Sequence, residues 1–158
     1  MAKLSGTANV LIHAPAREVY QTLSDVTRMG EWSPECYRCR WIKGADGPAL
    51  GAWFRGSNRR GAFKWSTSCR VTEVEADRVF AFEVVQPILG VQTRWRYHLN
   101  AVEGGTQLSE SFEVLWLFPG ITRFLFGGGT ARQAELEKNV RQTLQRIKAV
   151  VEAAQGGV

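Results

Sequence analysis

The chain has 158 residues, 44% of them hydrophobic and 22% charged, with a net charge of +5. This length suits one domain, residues 1–158, with a substantial core, and the composition excludes disordered and collagen-like chains. The positive balance is compatible with an anionic partner, but alone it concerns solubility and steering rather than chemistry. The opening MAKLSGTANVLIHAP lacks the apolar run of an export signal, and no stretch approaches the roughly 20 apolar residues that span a bilayer. A cytoplasmic protein is therefore expected. The three cysteines are an odd number and imply no disulfide framework.

Residues 7–13 alternate loosely and read as a first strand that ends before Pro15. Pro15 suits the first turn of a helix carrying Val19, Tyr20, Leu23 and Val26 at helical spacing. Ser24-Asp25 offers a second cap for a short helix stopped by Gly30 and Ser33-Pro34, and Trp32 is placed to pin this helix pair to a sheet. The period then changes to two. Candidate strands are 36–43, 51–59, 63–74, 78–86, 92–102 and 106–117, separated by turn signals such as GADGP, SNRRG and EGG. From Thr130 the helical period returns, with Leu136, Val140, Leu144, Ile147 and Val151 on one stripe. The expectation is an α+β domain. A curved antiparallel sheet of seven strands, its concave face closed by the last helix, would leave a cavity between them.

Alternation assigns the faces. Leu108, Glu110, Phe112 and Val114 point inward, as do Thr93, Trp95, Tyr97 and Leu99 on the preceding strand. Phe63, Trp65, Thr67, Cys69 and Val71 share an inner face; Phe80 and Phe82 do the same, leaving Ala81 and Glu83 to solvent. In FRGSNRRG, Phe54, Gly56 and Asn58 fall inward and Arg55, Ser57 and Arg59 outward, with Arg59-Arg60-Gly61 as a solvated hairpin tip. Cations and aromatics thus lie on opposite faces, unlike a surface for stacking bases, and nucleic acid is not the expected partner. Arg38, Arg40, Arg55, Lys64, Arg70, Arg94 and Arg96 gather on the outer face. They either cover the sheet with their stems or dock something acidic: RNA, an anionic membrane or an acyl carrier protein.

Chemistry-bearing candidates are few. Glu110 is an ionisable group on the concave face; desolvation there would prepare an acid or base near neutrality, the alternative being a pairing with an arginine or a backbone donor at the strand's wetter end. Tyr97, Asn58 and Thr67 offer hydrogen bonds to a ligand. Apolar contact would come from Phe54, Trp65, Cys69, Phe80, Phe82, Trp95 and Phe112, and from Val140 and Leu144 on the helix. The CxxC at Cys36 and Cys39 has neither the helix of a redox motif nor a second ligand pair, and reads as small buried strand cysteines. No metal set, nucleophile elbow or phosphate loop is present in the sequence, so neither metal nor cofactor is expected.

Strand, helix pair, six strands and long helix follow in an order that resembles the helix-grip fold of the START/Bet v 1-like (SRPBCC) superfamily. The segments carrying the resemblance are 14–35, 51–61, 65–84, 104–114 and the terminal stripe. Within it, the chain is similar to the bacterial polyketide cyclase/dehydrase and lipid-transport group. The resemblance implies a hydrophobic small-molecule ligand between sheet and helix, held by a carrier or turned over by a cyclase with Glu110 and Tyr97 as its acid/base and orienting groups. Lids are expected around 56–61, 86–90 and 119–129.

Overall fold

The computed structural model describes residues 4–156; residues 1–3, which open the stretch read for an export signal, and 157–158 lie outside the described part. β1 (Leu4–Ile12) leads into α1 (Ala16–Leu23), with Pro15 as its N-cap rather than inside its first turn. Val19, Tyr20 and Leu23 form the buried face of α1. Asp25 starts the 3-10 helix Val26–Glu31 by accepting from the Thr27 backbone N–H at 3.2 Å. β2 (Cys36–Ile42), β3 (Trp53–Arg60), β4 (Phe63–Glu75), β5 (Val79–Gln86), β6 (Gly90–Val102) and β7 (Gly105–Val114) follow. They form one antiparallel sheet in the order β1-β7-β6-β5-β4-β3-β2. The segment expected to extend β7 to 117 leaves the sheet after Val114 and enters α2 (Pro119–Phe126). Gly127 closes α2 in the left-handed region at φ 82°, which frees the chain to turn into α3 (Gly129–Gln155).

α3 lies across the concave face. Leu136, Val140, Leu144, Ile147 and Val151 are all buried there, as their spacing requires. Polar residues beside that stripe lash the helix to the edge strand. Gln133 donates to the Ser5 carbonyl at 2.7 Å and Lys148 to the Leu11 carbonyl at 2.6 Å. The His13 backbone N–H and the Lys148 ammonium hold the Glu152 carboxyl down to about 2. This is the helix-grip architecture, and no helix among the described residues is long and apolar enough to cross a membrane.

One expectation about faces needs correction. Ala81 and Glu83 stand on the outer face, yet both are buried. Arg70 pairs with Glu83 across the register, and the Arg94 Nε lies 4.0 Å from its other oxygen, so the guanidinium groups roof over a residue expected to meet water. β2 also carries a bulge, which the sequence pattern does not anticipate. Pairing jumps from Cys36↔Asn58 to Arg38↔Ser57, which leaves Tyr37 as an extra residue in β2. Gly30 seats that bulge, since a Cβ at Gly30 would fall 2.5 Å from the Tyr37 carbonyl oxygen. Because of the inserted residue, Cys36 and Cys39 both point inward and are buried, where simple alternation would put them on opposite faces.

Candidate ligand-binding cavity

A cavity of about 410 Å³ lies between the concave face and α3, within the range that suits a drug-sized ligand. The inward rows of β3 to β7 build its wall. Phe54, Asn58, Trp65, Thr67, Cys69, Phe82, Trp95, Tyr97 and Glu110 all line it, as does Val140 from α3. Phe80, Phe112 and Leu144 do not; they sit in the core beyond it. Phe80 packs edge-on against Tyr20 of α1, and the Phe112 ring fills the place a side chain at Gly6 would need. Face and depth are separate coordinates, and only the face follows from a period of two.

Aromatic packing makes most of the wall rigid. Phe54 stands edge-on between Trp41 at 5.7 Å and Phe82 at 5.1 Å. Phe63 stacks on Trp65 at 5.4 Å, and Trp95 leans on Phe112 at 5.7 Å. Trp32, fully buried where the 3-10 helix meets the sheet, also reaches the cavity. The Asn58 amide donates to Thr67 Oγ1 at 3.2 Å, so one polar patch is already internally bonded.

Glu110 is different. It is 4% exposed and lies opposite Tyr97 in the register. Its Oε2 is buried without a partner among the described residues. Among the described residues no arginine pairs with it, so the ion pair weighed from the sequence is not formed there. Burial raises the Glu110 carboxyl to about 8, offset only in part by the Tyr97 hydrogen bond. Burial, then the neighbouring Glu110, pushes the Tyr97 phenol well above its ordinary value. Near neutrality the pair therefore presents an uncharged acid beside an uncharged phenol. Such a pair can donate to a ligand carbonyl or accept from a hydroxyl. Cys69, deep in the wall, is pushed up to about 12 by burial and stays a thiol.

The mouth is built from residues far apart in sequence. Arg60, expected at a solvated tip, is the last residue of β3 and reaches across to α3. It donates to Glu135 at 3.0 Å and to the Leu125 carbonyl at 2.6 Å. Arg132 of α3 clasps Glu35 through two bonds at 2.5 and 2.9 Å, donates to Glu135 at 2.9 Å and lies 4.1 Å over the Phe126 ring. Asn139 adds a bond to Glu35 at 3.2 Å. Glu35, Arg132 and Asn139 line the cavity, and sequence reasoning missed all three. Ile121, Leu125 and Phe126 of α2 and the exposed Phe63 complete the rim. Among the described residues, no group of three or more His, Cys, Asp or Glu side chains comes together to hold a metal ion.

The chain matches the polyketide cyclase / dehydrase and lipid transport family over residues 1–152, and it belongs to that family. Its structure is similar to that of the Polyketide_cyc-like protein Cgl2372 from Corynebacterium glutamicum, at 31% identity, covering 98% of this chain and 94% of that one with a TM-score of 0.58. The fold also matches the Zhui aromatase/cyclase from Streptomyces sp. R1128, at 17% identity, 99% and 100% coverage and a TM-score of 0.76. A third likeness is to Ara h 8.0201, at 12% identity, 96% and 99% coverage and a TM-score of 0.68. No curated protein sequence matches the chain.

Proposed function

We propose that the protein binds a hydrophobic small molecule, a lipid or an aromatic polyketide, in the cavity between sheet and α3. The observation that carries this reading is the unpartnered, buried Glu110 Oε2 in a mainly apolar cavity of about 410 Å³. A buried polar atom without a partner costs roughly 1–3 kcal/mol, and a ligand hydroxyl or carbonyl placed there removes that cost. The Tyr97 hydroxyl, Asn58 and Thr67 supply further polar contacts, and Phe54, Trp65, Phe82 and Trp95 supply apolar area. α2 serves as the lid, with the loop around 86–90 beside it. This reading takes the protein to act in the cytoplasm and without a metal or cofactor. Native mass spectrometry of the purified protein tests it: a reproducible added mass, extractable as a lipid or polyaromatic, is expected. A bare chain after incubation with fatty acids and aromatic polyketides would overturn it.

A second reading is catalytic, and the raised Glu110 carboxyl favours it. In a folded poly-β-keto chain, an enol carbon attacks a ketone carbon and a C–C bond forms. The Glu110 acid protonates the resulting alkoxide while the enol oxygen loses its proton to solvent. The Glu110 carboxylate then removes an α-proton as hydroxide leaves and takes a proton from solvent to become water, and Tyr97 orients the carbonyl. Glu110→Gln separates the readings, because loss of turnover with retained binding marks a cyclase and unchanged binding without any wild-type turnover marks a carrier.

The outer face supports a docking role at one end only. Arg70, Arg94 and Arg96 pair with Glu83, Glu113 and Glu73. Arg38, Arg40 and Arg55 instead surround a polar groove with Ser57 and Ser66. That groove suits an acidic protein such as an acyl carrier protein better than RNA, since its floor offers no aromatic ring for stacking. Charge reversal at Arg40 would weaken such a complex and flatten its salt dependence.

A further inference from the structure

The bulge in β2 has a chemical consequence at the cavity wall. Cys36 and Cys39 both face inward, with their Sγ atoms 3.3 Å apart. Both line the cavity. Opposite them in β3 stands Gly56, where an added Cβ would lie 3.5 and 3.6 Å from the two sulfurs and 3.0 Å from Thr67 Oγ1. The missing side chain at Gly56 therefore leaves the pair uncovered toward the ligand space. Met29 of the 3-10 helix approaches from the other side, with Cys39 Sγ 3.8 Å from its Sδ.

We propose that Cys36 and Cys39 are a redox-active dithiol in the cavity wall that a small peroxide closes to a disulfide. The two sulfurs are already in contact, on one face and in one strand, so closure joins near neighbours and needs no movement between elements. The cavity gives an oxidant as small as hydrogen peroxide a path to thiols that protein-sized oxidants cannot reach. The roles divide by environment. The hydrogen bond from Cys39 lowers the Cys36 thiol, while that same bond and burial raise Cys39. Cys39 is also covered by Met29 Sδ, so Cys36 is the attacking sulfur and Cys39 the resolving one.

The steps balance. Cys36 gives its proton to solvent, and its thiolate attacks one peroxide oxygen. The O–O bond breaks, hydroxide leaves and becomes water, and Cys36 is a sulfenic acid. Cys39 Sγ then displaces hydroxide from the Cys36 sulfur, the S–S bond forms, and a second water departs with the Cys39 proton. Two thiols lose two electrons and one peroxide is reduced to two waters. The chemistry goes beyond ligand binding and does not depend on it, since the thiols react whether or not a ligand has been found.

The test is intact mass and thiol counting on the full chain, fully reduced and then exposed to stoichiometric hydrogen peroxide. The chain has three cysteines. The expected product is lighter by two hydrogens, keeps one free thiol, yields a linked peptide containing Cys36 and Cys39 on non-reducing digestion, and returns to three thiols with dithiothreitol. Cys69→Ser closes in the same way, and Cys39→Ser stops at a Cys36 sulfenic acid that dimedone captures. Addition of oxygen atoms without loss of the two hydrogens would overturn the proposal. So would a disulfide to Cys69, or three thiols surviving peroxide.

Discussion

Two carboxylates sit buried on opposite faces of one sheet, and their surroundings could hardly differ more. Glu83, 6% exposed on the convex face, is clasped by Arg70 and approached by Arg94. Glu110, 4% exposed on the concave face, has a phenol beside it and one oxygen without a partner among the described residues. Burial alone is therefore no sign of function. A buried acid matched by guanidinium groups is a structural joint, whereas a buried acid left half-satisfied in a cavity is held ready for something that is not part of the chain.

The largest expected effect is on pH-dependent stability. The unfolded chain releases the Glu110 proton near 4.5, while the folded protein keeps it until about 8. Folded protein binds that proton more tightly, so stability falls as pH rises between those values and levels off above them. Across that window the loss is on the order of 4–5 kcal/mol, and Glu110→Gln removes it. Denaturant unfolding at pH 5 and pH 9 for both proteins measures it; parallel profiles would erase the contrast with Glu83.

Next comes the other side of the comparison. Arg70→Ala leaves Glu83 buried with only the more distant Arg94, and about 2–3 kcal/mol of destabilisation is expected in urea melts. A change below roughly 0.5 kcal/mol would mean that the pair is only a surface ion pair. At the cavity mouth, Arg132→Met deprives Glu35 of both its bidentate bonds. A loss of about 1–2 kcal/mol is expected, together with faster ligand exchange in stopped-flow measurements, because Phe126 of the α2 lid loses the nearer of the two cations over its ring. The smallest effect belongs to Arg40→Glu on the exposed polar groove, where stability should move by no more than about 0.5 kcal/mol while binding of an acidic partner weakens.

The same contrast explains what could be read from sequence. β7 alternates without interruption, so Leu108, Glu110, Phe112 and Val114 fall inward as their spacing requires, and the acid is found with them. β2 carries a bulge whose cause is the close approach of Gly30 to Tyr37, a contact between two elements that no local pattern encodes. The paired thiols were hidden for that reason. The clasp between Arg132 and Glu35 joins residues 97 apart in sequence, each of which reads alone as an ordinary surface charge. Phe80 and Phe112 show a third limit, since alternation gives the side a residue faces but not how far along the strand the cavity extends.

The most direct test is a carbon-13 NMR titration of the Glu110 side-chain carboxyl, assigned by comparison with Glu110→Gln. The carboxyl resonance should titrate near 8, and its midpoint should shift when an apolar ligand occupies the cavity. A midpoint near 4.5 in the free protein would show Glu110 to be solvated or paired like its counterpart across the sheet, and would contradict the account.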